Sequence, residues 1–449
     1  MSRFIQADRR QPFLLPPDLR DWLPSDDLAH FVLEAVDRVP MDRFKVNVRG
    51  TGSEQYHPHT MLALLIYCYA NGIFSSRRIE RASYRDIGVR YITANCHPDH
   101  DTICKFRREN LEAISESFVQ VLLLARELKL LRVGTVSVDG TKIDANASKH
   151  RGVRYDRAQA LRSQLRGEIE GLLEQAELSD AQEEADPQRL PEELRRREDL
   201  KAKLDAACAR LEAQAKARAE SERAEYERKV AAREKRPGQR KGPRIKPPKD
   251  TPEDSAQSNL TDPDSRLMRK NKRSEYRQSY NAQAVVDAEG SQLVLGAQIS
   301  QCASDRNELV RTVEAMPGQL EPPKHVLADN GYANGDEVGR LEGRGIEVLV
   351  ATGTAGRRRP HDLRPPSTES PAKEPVASWL RQMQAKLEEP EHRARYRLRQ
   401  QTVEPAFGII KDAMGFRRFL LRGVEKVHLE WQLVTLAYNC KRLHRMMLA

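Results

Sequence analysis

Three acidic residues occupy positions at which carboxylate chemistry is plausible. Asp139 follows the β-rich run 135–138 and Asp329 follows the apolar run 326–328, and each has a glycine within two positions that leaves the adjacent backbone open to a ligand. Glu404 lies in a helical run among apolar neighbours. A carboxylate on an apolar face is costly to bury unless it meets a proton, a cation or a metal. These residue types therefore point to metal-ion chemistry.

Such a set of acids suits the cleavage of a phosphodiester. An in-line displacement by water or by a 3′ hydroxyl develops charge on two oxygens, which two hard cations about 3.5–4 Å apart can stabilise. Mg²⁺ prefers oxygen ligands, and coordination lowers the pKa of the attacking water, so no separate general base is needed. A single Asp after a strand is, however, more often a turn residue or a helix cap than a metal ligand. The spacing of the three acids along the chain also does not show that they are close in space.

The region up to about residue 131 is predicted to be helical. Residues 24–27 can cap a helix, and the apolar residues in 28–36 have the spacing of a half-buried helix. Further helices are predicted at about 60–71 and 102–128. Short helices with basic side chains suit a helix-turn-helix-like DNA reader. The candidate DNA contacts are Arg77, Arg78, Lys105, Arg107 and Arg108. A structural helical domain with a solvated basic face fits the pattern equally well.

The segment 150–272 differs in composition from the rest of the chain. Two narrow leucine seams, at 161–172 and 200–211, are flanked by charged residues and separated by Pro187 and Pro191. This pattern indicates a helical hairpin or a short coiled coil. From about residue 233 to 249 the chain is rich in Pro, Lys and Arg, which predicts a mobile basic linker. The simplest interpretation of its charged side chains is that they are solvated.

The remaining sequence predicts a mixed sheet flanked by helices. Together with the run that ends at Asp139, β-rich segments are predicted at 280–287, 293–299, 323–329 and 346–351. The predicted fold is thus a mixed α/β (α+β) one, with an all-helical N-terminal domain and a long helical insertion in the core. The predicted domains are a helical domain at 1–131, a core at 132–149 and 273–449, and the insertion at 150–272.

Composition restricts the class of protein. The 449 residues carry 76 basic against 66 acidic side chains, a formal charge of +10 that favours an anionic partner such as nucleic acid. No stretch has the roughly 18 apolar residues of a membrane span, and the N-terminus lacks the apolar core of a signal peptide. Six scattered cysteines give no disulfide framework, which favours a reducing compartment. A zinc site at Cys96, His97, His100 and Cys104 is disfavoured because the spacing matches no common structural pattern.

Several short motifs carry a family resemblance over nearly the whole chain. In the N-terminal region they are the segments 57–62, 72–78 and 98–108, and in the core 138–142, 280–287, 303–307, 328–332 and 402–408. With these motifs the chain resembles the bacterial insertion-sequence transposases of the DDE type, which have an RNase H-like catalytic core.

The resemblance implies roles for individual residues. Asp139, Asp329 and Glu404 match the three metal-binding acids of the family, and Lys411 matches the basic residue that follows the glutamate. Six residues lie between Glu404 and Lys411, so two α-helical turns would place both on one face.

The family also tends to have a tyrosine and an arginine ahead of the glutamate, and these are expected to contact DNA. Tyr396 and Arg399 are nearby, but each lies one place further from Glu404 than the family pattern asks. Arg397 or Gln400 could fill that register instead.

The implied reaction is Mg²⁺-dependent hydrolysis at the ends of a mobile element, followed by strand transfer of the freed 3′ hydroxyl into target DNA. Mn²⁺ is the expected substitute for Mg²⁺. The expected partners are double-stranded DNA, namely terminal inverted repeats and target, and further copies of this chain, with the hairpin as a candidate contact. The expected location is the cytoplasm, in association with the nucleoid, and no membrane partner is expected. The alternative is a non-catalytic DNA-binding protein or an inactive transposase remnant.

Overall fold

The computed structural model describes most of the chain, and it divides the chain into two compact units. The described residues are 18–47, 54–180, 189–234, 245–270, 273–353 and 377–448. Unit 1 comprises Met1–Ile143, Asn281–Leu421 and Glu425–Ala449, and unit 2 comprises Asp144–Tyr280 and Arg422–Val424. Within the described residues, no helix is both long and apolar enough to cross a membrane.

Unit 1 begins with a group of helices. Their bounds are α1 Leu28–Asp37, α2 Pro58–Ala70, α3 Ser76–Arg85, α4 Ile87–Ile92, α5 His100–Glu109 and α6 Leu111–Glu127. Helix α2 is buried on nearly every face, so it forms the centre of this group. The single helix predicted at 102–128 is wrong, because the chain leaves the helical conformation at Asn110. The Asn110 side chain accepts the backbone N–H of Lys45 and donates to the carbonyl of Phe106, which stabilises the break.

Strand β1, Thr135–Asp144, leads into unit 2. There the elements are β2 Gly152–Arg154, α7 Tyr155–Asp180, α8 Arg189–Glu234, β3 Gln257–Asn259, β4 Arg266–Met268 and the first residues of β5 Arg277–Asp287. Helices α7 and α8 run antiparallel, since Arg162 pairs with Asp205 at 2.5 Å and Arg197 with Glu168 at 2.9 Å.

The two predicted leucine seams pack against each other within unit 2. Leu165, Leu204 and Cys208 belong to one buried cluster, together with Val153 and Ala158. Pro191 lies in the first turn of α8, where proline is tolerated. Pro187 and the stretch 235–244 of the predicted basic linker lie outside the described residues.

The rest of unit 1 completes a mixed sheet flanked by helices, which confirms the predicted mixed α/β class. The remaining elements are β6 Val294–Ser300, α9 Leu309–Val313, β7 His325–Ala328, α10 Gly335–Glu342, β8 Glu347–Val350, α11 Ser378–Glu388, α12 Pro390–Gly408 and α13 Val424–Leu448. Strand β1 pairs in parallel with β7, and β7 in parallel with β8, whereas β5 and β6 are antiparallel. In unit 2, β4 pairs antiparallel with the start of β5.

Helix α13 holds the β5–β6 side of the sheet by polar contacts inside the core. The indole N–H of the fully buried Trp431 donates to the carbonyl of Gln283 at 2.9 Å. The Asn439 side chain makes two hydrogen bonds to the backbone of Val294, accepting its N–H at 2.8 Å and donating to its carbonyl at 2.7 Å. Paired in this way, buried polar groups fix the position of the helix on the sheet.

Candidate active site

The register of two parallel strands brings Asp139 and Asp329 side by side. The pairing of β1 with β7 ends with Val138 opposite Ala328, and the two aspartates are the residues that follow this last pair. The prediction that Asp139 ends its strand is wrong, because β1 continues to Asp144. What ends at Asp139 is the pairing with β7, so both acids lie where the two strands separate.

Helix α12 is attached to the same two strands just ahead of the aspartates. The Thr402 hydroxyl donates to the Ser137 hydroxyl at 2.7 Å, in the buried layer between α12 and β1. The Tyr396 hydroxyl donates to the carbonyl of Ala328 at 3.2 Å. These contacts bring Glu404, two residues after Thr402, to the same end of the strands.

A proline inside α12 is accommodated by a side chain from the loop before β6. Pro405 has no N–H, so the carbonyl of Gln401, four residues earlier, lacks its helical partner. The Gln292 side-chain amide donates to that carbonyl at 2.7 Å. The helix therefore passes Glu404 without leaving this backbone oxygen unpaired.

One guanidinium lies within ion-pair distance of all three predicted acids. Arg399 Nη2 is 3.0 Å from Asp139 Oδ2 and 3.9 Å from Asp329 Oδ2, and Nη1 is 3.6 Å from Glu404 Oε1. The Arg399 side chain is only 12% exposed, whereas that of Glu404 is 57% exposed. The structure thus brings Asp139, Asp329 and Glu404 together around one cation, within unit 1. The guanidinium that the sequence analysis assigned to DNA is directed at these carboxylates.

The titration of Asp139 is perturbed by its buried position. Burial raises the pKa of its carboxyl to about 6, and repulsion by Asp329 adds to this rise. The Arg399 guanidinium and the N–H of Gly140, which donates to Oδ1 at 2.8 Å, lower the pKa. A carboxylate binds a metal in its ionised form, so a divalent cation at this point would favour ionisation of Asp139.

The chemistry of the donors fits a hard divalent cation. Three carboxylates supply only oxygen atoms, and Mg²⁺ prefers such ligands. Among the described residues, no group of three His, Cys, Asp or Glu side chains is arranged as a ready metal site.

A polar cluster around Asp305 was not assigned a role by the sequence analysis. The Asp305 carboxylate accepts from Asn281 Nδ2 at 2.6 Å and Gln283 Nε2 at 2.8 Å, and Lys142 Nζ lies 3.4 Å away. The signal that could have revealed the cluster is the spacing of Asn281 and Gln283. Two polar residues at i and i+2 that alternate with apolar ones in a strand share one face of the sheet.

This cluster packs directly against the backbone beside Asp139 and Asp329. A Cβ atom at Gly140 would lie 2.3 Å from Gln283 Nε2 and 2.7 Å from Asp305 Oδ1, so a larger residue here would displace the polar side chains of the cluster. The fully buried Tyr332, three residues after Asp329, donates its hydroxyl to Gln283 Oε1. The cluster thereby connects the chain segments that carry the two aspartates.

Lys411 reaches the same region by a geometry that the sequence did not predict. Helix α12 ends at Gly408, and Ile409–Ala413 forms a π-helix, so the assumption of two regular α-helical turns after Glu404 is wrong. The Lys411 ammonium contacts the hydroxyl of Thr141, two residues after Asp139. π-helical turns inside α-helices occur frequently at functional sites.

The predicted basic residues of the N-terminal helices fall into two groups. Arg77, Arg78, Lys105 and Arg108 are exposed. Arg107 is only 4% exposed, and its Nη1 donates to the Tyr69 hydroxyl at 2.7 Å. We therefore correct its assignment from a DNA contact to a buried structural residue.

The disfavoured zinc interpretation finds no support in the described structure. His100 pairs with Glu80 at 2.8 Å, and the Cys104 thiol contacts the Ser76 hydroxyl at 2.8 Å. His97 stacks on Tyr84 with ring centroids 3.9 Å apart. These side chains have separate partners and do not converge on one point.

Comparison with known proteins identifies the family. The family model described as "Transposase domain (DUF772)" matches residues 17–109, which include α1 to α5. The model described as "Transposase DDE domain" matches residues 219–440, which include Asp329, Glu404 and Lys411 and begin after Asp139. None of the curated proteins and none of the solved structures matches the chain. The chain belongs to the DDE transposases of insertion sequences.

Proposed function

We propose that this transposase cuts DNA at the ends of its element and joins the freed 3′ hydroxyl to target DNA, with Asp139, Asp329 and Glu404 as the ligands of Mg²⁺ or Mn²⁺. The observation that supports this assignment is the position of Arg399, which lies within 4.0 Å of an oxygen of each acid. Three carboxylates that share one guanidinium are close enough in space to act on one substrate.

The side chains around this point have separable roles in the proposed mechanism. When bound, the divalent cations stabilise charge on the attacking and leaving oxygens of the displacement. Asp139 and Asp329 would hold the cations from the ends of the paired strands, and Glu404 would hold them from the helix. Lys411, beside Thr141, binds a phosphate oxygen of the substrate strand. Arg399 keeps the three acids together at one point.

The proposed core is of the RNase H-like type. Two features support this assignment: a mixed sheet with two acids at the point where parallel strands separate, and a third acid on a helix packed against those strands. The proposed catalytic domain consists of 132–149 and 273–449. Residues 150–272 form an insertion in this domain, and residues 1–131 form the N-terminal helical domain.

The N-terminal helices are proposed to bind the terminal repeats of the element. Arg77 and Arg78 on α3, and Lys105 and Arg108 on α5, are exposed and make no ion pair with a described residue. Such side chains neutralise DNA phosphates without breaking internal contacts. Tyr396 is proposed to contact DNA near the acids.

Synapsis of two element ends requires at least two copies of the chain, so we propose a homo-oligomer bound to DNA, in the cytoplasm at the nucleoid. The leucine seams of α7 and α8 are satisfied within one chain. A contact between copies would therefore use the outer, charged faces of these helices.

A nicking assay tests the catalytic proposal. The substrate is a DNA fragment that carries both flanks of the coding sequence, incubated with Mg²⁺, with Mn²⁺ or with a chelator. We expect cleavage by the wild type and none by Asp139→Asn, Asp329→Asn or Glu404→Gln. The matched control Asp336→Asn, at an exposed acid of α10, should cleave normally. Binding without metal-dependent cleavage in the wild type would favour the non-catalytic alternative.

A further inference from the structure

A cavity beside the acids is lined by arginines that the proposed mechanism does not use. It has a volume of about 500 Å³, and its lining includes Asp329, Asn330, Arg393, Arg397 and Gln400. The cavity is open to solvent at the exposed side chains of α12. A partly enclosed, basic space next to a cutting site is suited to an anionic segment of substrate.

The arginines of α12 differ in their partners. Arg395 pairs with Glu391 at 2.9 Å and with Glu347 at 3.4 Å, and Arg399 pairs with the acids. Arg393 and Arg397 are exposed and form no ion pair with any described residue. The helix thus uses Arg395 and Arg399 for internal ion pairs, and of the three arginines that line the cavity it leaves Arg393 and Arg397 free to bind a ligand.

The spacing along α12 aligns these arginines with Glu404. Arg393, Arg397, Gln400 and Glu404 lie at i, i+4, i+7 and i+11, so they share one face of the helix, and all four are exposed. At 1.5 Å per residue, Arg397 lies about 10 Å from Glu404 along the helix axis, and Arg393 one turn further. A DNA strand advances about 3.4 Å per nucleotide, so Arg397 would meet a phosphate about three nucleotides from the bond at the acids.

We infer that Arg393 and Arg397 bind two backbone phosphates of the DNA strand that enters the acidic site along α12. The inference rests on the proposed function and extends it, because it specifies that the substrate strand runs along α12 on one side of the acids. Guanidinium groups bind phosphate oxygens in a bidentate manner. The contact is independent of base sequence, since phosphates carry no sequence information.

The test is the salt dependence of DNA binding, measured in a chelator so that no cleavage occurs. The probe is a fluorescein-labelled duplex of mixed sequence, titrated with the full-length protein between about 50 and 200 mM salt. Each phosphate contact contributes about 0.9 to the slope of log K against log salt, so Arg393→Ala/Arg397→Ala should lower the slope by about 1.8. The ratio of the wild-type binding constant to that of the variant should then decrease about tenfold from the lowest to the highest salt concentration.

Two controls separate a defined contact from loss of bulk charge. The double variant Arg132→Ala/Arg445→Ala removes the same charge from two other exposed arginines and should leave the slope unchanged. Arg393→Lys/Arg397→Lys keeps the charge and should retain the slope. The inference is overturned if Arg393→Ala/Arg397→Ala keeps the wild-type slope. It is also overturned if Arg132→Ala/Arg445→Ala lowers the slope by as much as the cavity variant does.

The result also distinguishes a DNA site from a small-anion site and from failure of the proposed function. Saturable binding of inorganic phosphate that Arg397→Ala abolishes, with an unchanged DNA slope, would identify a small-anion site and contradict the inference. If the wild type does not nick DNA but the cavity variant has the expected lower slope, the proposed catalysis is contradicted and the phosphate site is supported. Absence of any DNA binding by the wild type overturns both.

Discussion

At the scale of single residues, Arg399 and a divalent cation compete for the same oxygens. The guanidinium lies 3.0 Å from Asp139 and within 4.0 Å of the other two acids, so it neutralises a cluster that would otherwise repel itself. In Arg399→Gln the three carboxylates lose this neutralising charge. We expect a lower melting temperature without metal, and a larger rise on adding Mg²⁺ or Ca²⁺ than in the wild type, as measured by thermal unfolding.

The control for this experiment is Arg340→Gln, which removes an exposed arginine of α10 that pairs with Glu337. Its response to divalent cations should equal that of the wild type. Equal metal-induced shifts in Arg399→Gln and the wild type would show that the cations do not bind where the guanidinium lies.

The raised pKa of Asp139 predicts that the stability of the metal-free protein depends on pH. Its pKa is raised from 3.8 to about 6 on folding, so between these values the folded state holds a proton that the unfolded state has lost. The free energy of unfolding therefore falls as pH rises from about 4 to about 6, by up to about 3 kcal/mol in total. In Asp139→Asn this decrease should be absent, so the variant becomes more stable than the wild type at pH about 7, as measured by urea unfolding in a chelator.

The reference for this measurement is Asp336→Asn, at an exposed acid outside the site, which should follow the wild-type pH profile. A profile of Asp139→Asn that runs parallel to that of the wild type between pH about 4 and about 6 would contradict the raised pKa.

At the scale of elements, the attachment of α12 to β1 determines where Glu404 lies. The Thr402 hydroxyl donates to Ser137 at 2.7 Å, and both residues are buried. Thr402→Val keeps the shape of the side chain but leaves the Ser137 hydroxyl without this partner, at a cost of about 1–3 kcal/mol. We expect reduced nicking at temperatures where the variant is still folded, with unchanged DNA affinity, because Glu404 is less firmly positioned.

The serine provides the complementary variant. Ser137→Ala in combination with Thr402→Val removes both partners, so no unpaired hydroxyl remains and part of the lost stability should return. If Thr402→Val cleaves DNA as fast as the wild type, the hydrogen bond does not position the glutamate.

Neighbouring arginines on α5 have opposite roles, although they are identical in type. Arg107 is buried, and its Nη1 donates to the hydroxyl of the fully buried Tyr69 at 2.7 Å. Removing this donor in Arg107→Met should cost about 1–3 kcal/mol of unfolding free energy, because the Tyr69 hydroxyl loses a buried hydrogen-bond partner. Chemical denaturation of purified protein measures this cost.

Arg108, the next residue, is exposed and serves as the matched control. Arg108→Met should unfold like the wild type but bind DNA with a lower salt dependence. A comparable loss of stability in both variants would contradict the distinction between the buried and the exposed arginine.

At the scale of the whole molecule, the two units each have a hydrophobic core of their own. In unit 2, Leu204 is fully buried in the cluster formed by α7, α8 and β2. Leu204→Ala should cost about 2–5 kcal/mol locally. Hydrogen exchange should therefore accelerate in 155–180 and 189–234, while β1, β7 and β8 in unit 1 keep their protection.

Leu443, fully buried in α13 of unit 1, offers the reciprocal variant. Leu443→Ala should accelerate exchange in unit 1 and leave α7 and α8 protected. Loss of protection throughout the chain in either variant would show that the two units unfold as one.

The periodic elements and the candidate acids can be predicted from the amino-acid sequence. The mixed sheet and its flanking helices follow from local hydrophobic patterns, and the acids could be identified because they follow apolar runs in motifs with a family resemblance. These features depend on residues close together in the chain, so local pattern is sufficient to predict them.

The distribution of side chains between the interior, the site and the surface follows from tertiary packing. Sequence cannot show that Arg107 is buried whereas Arg108 is exposed, or that Arg399 faces carboxylates 260 and 70 positions earlier, since both depend on long-range packing. The register of β1 with β7, the Asp305 cluster and the π-helix at Lys411 likewise arise from contacts between distant segments. Burial and desolvation, which set the pKa of Asp139, exist only once those segments have packed together.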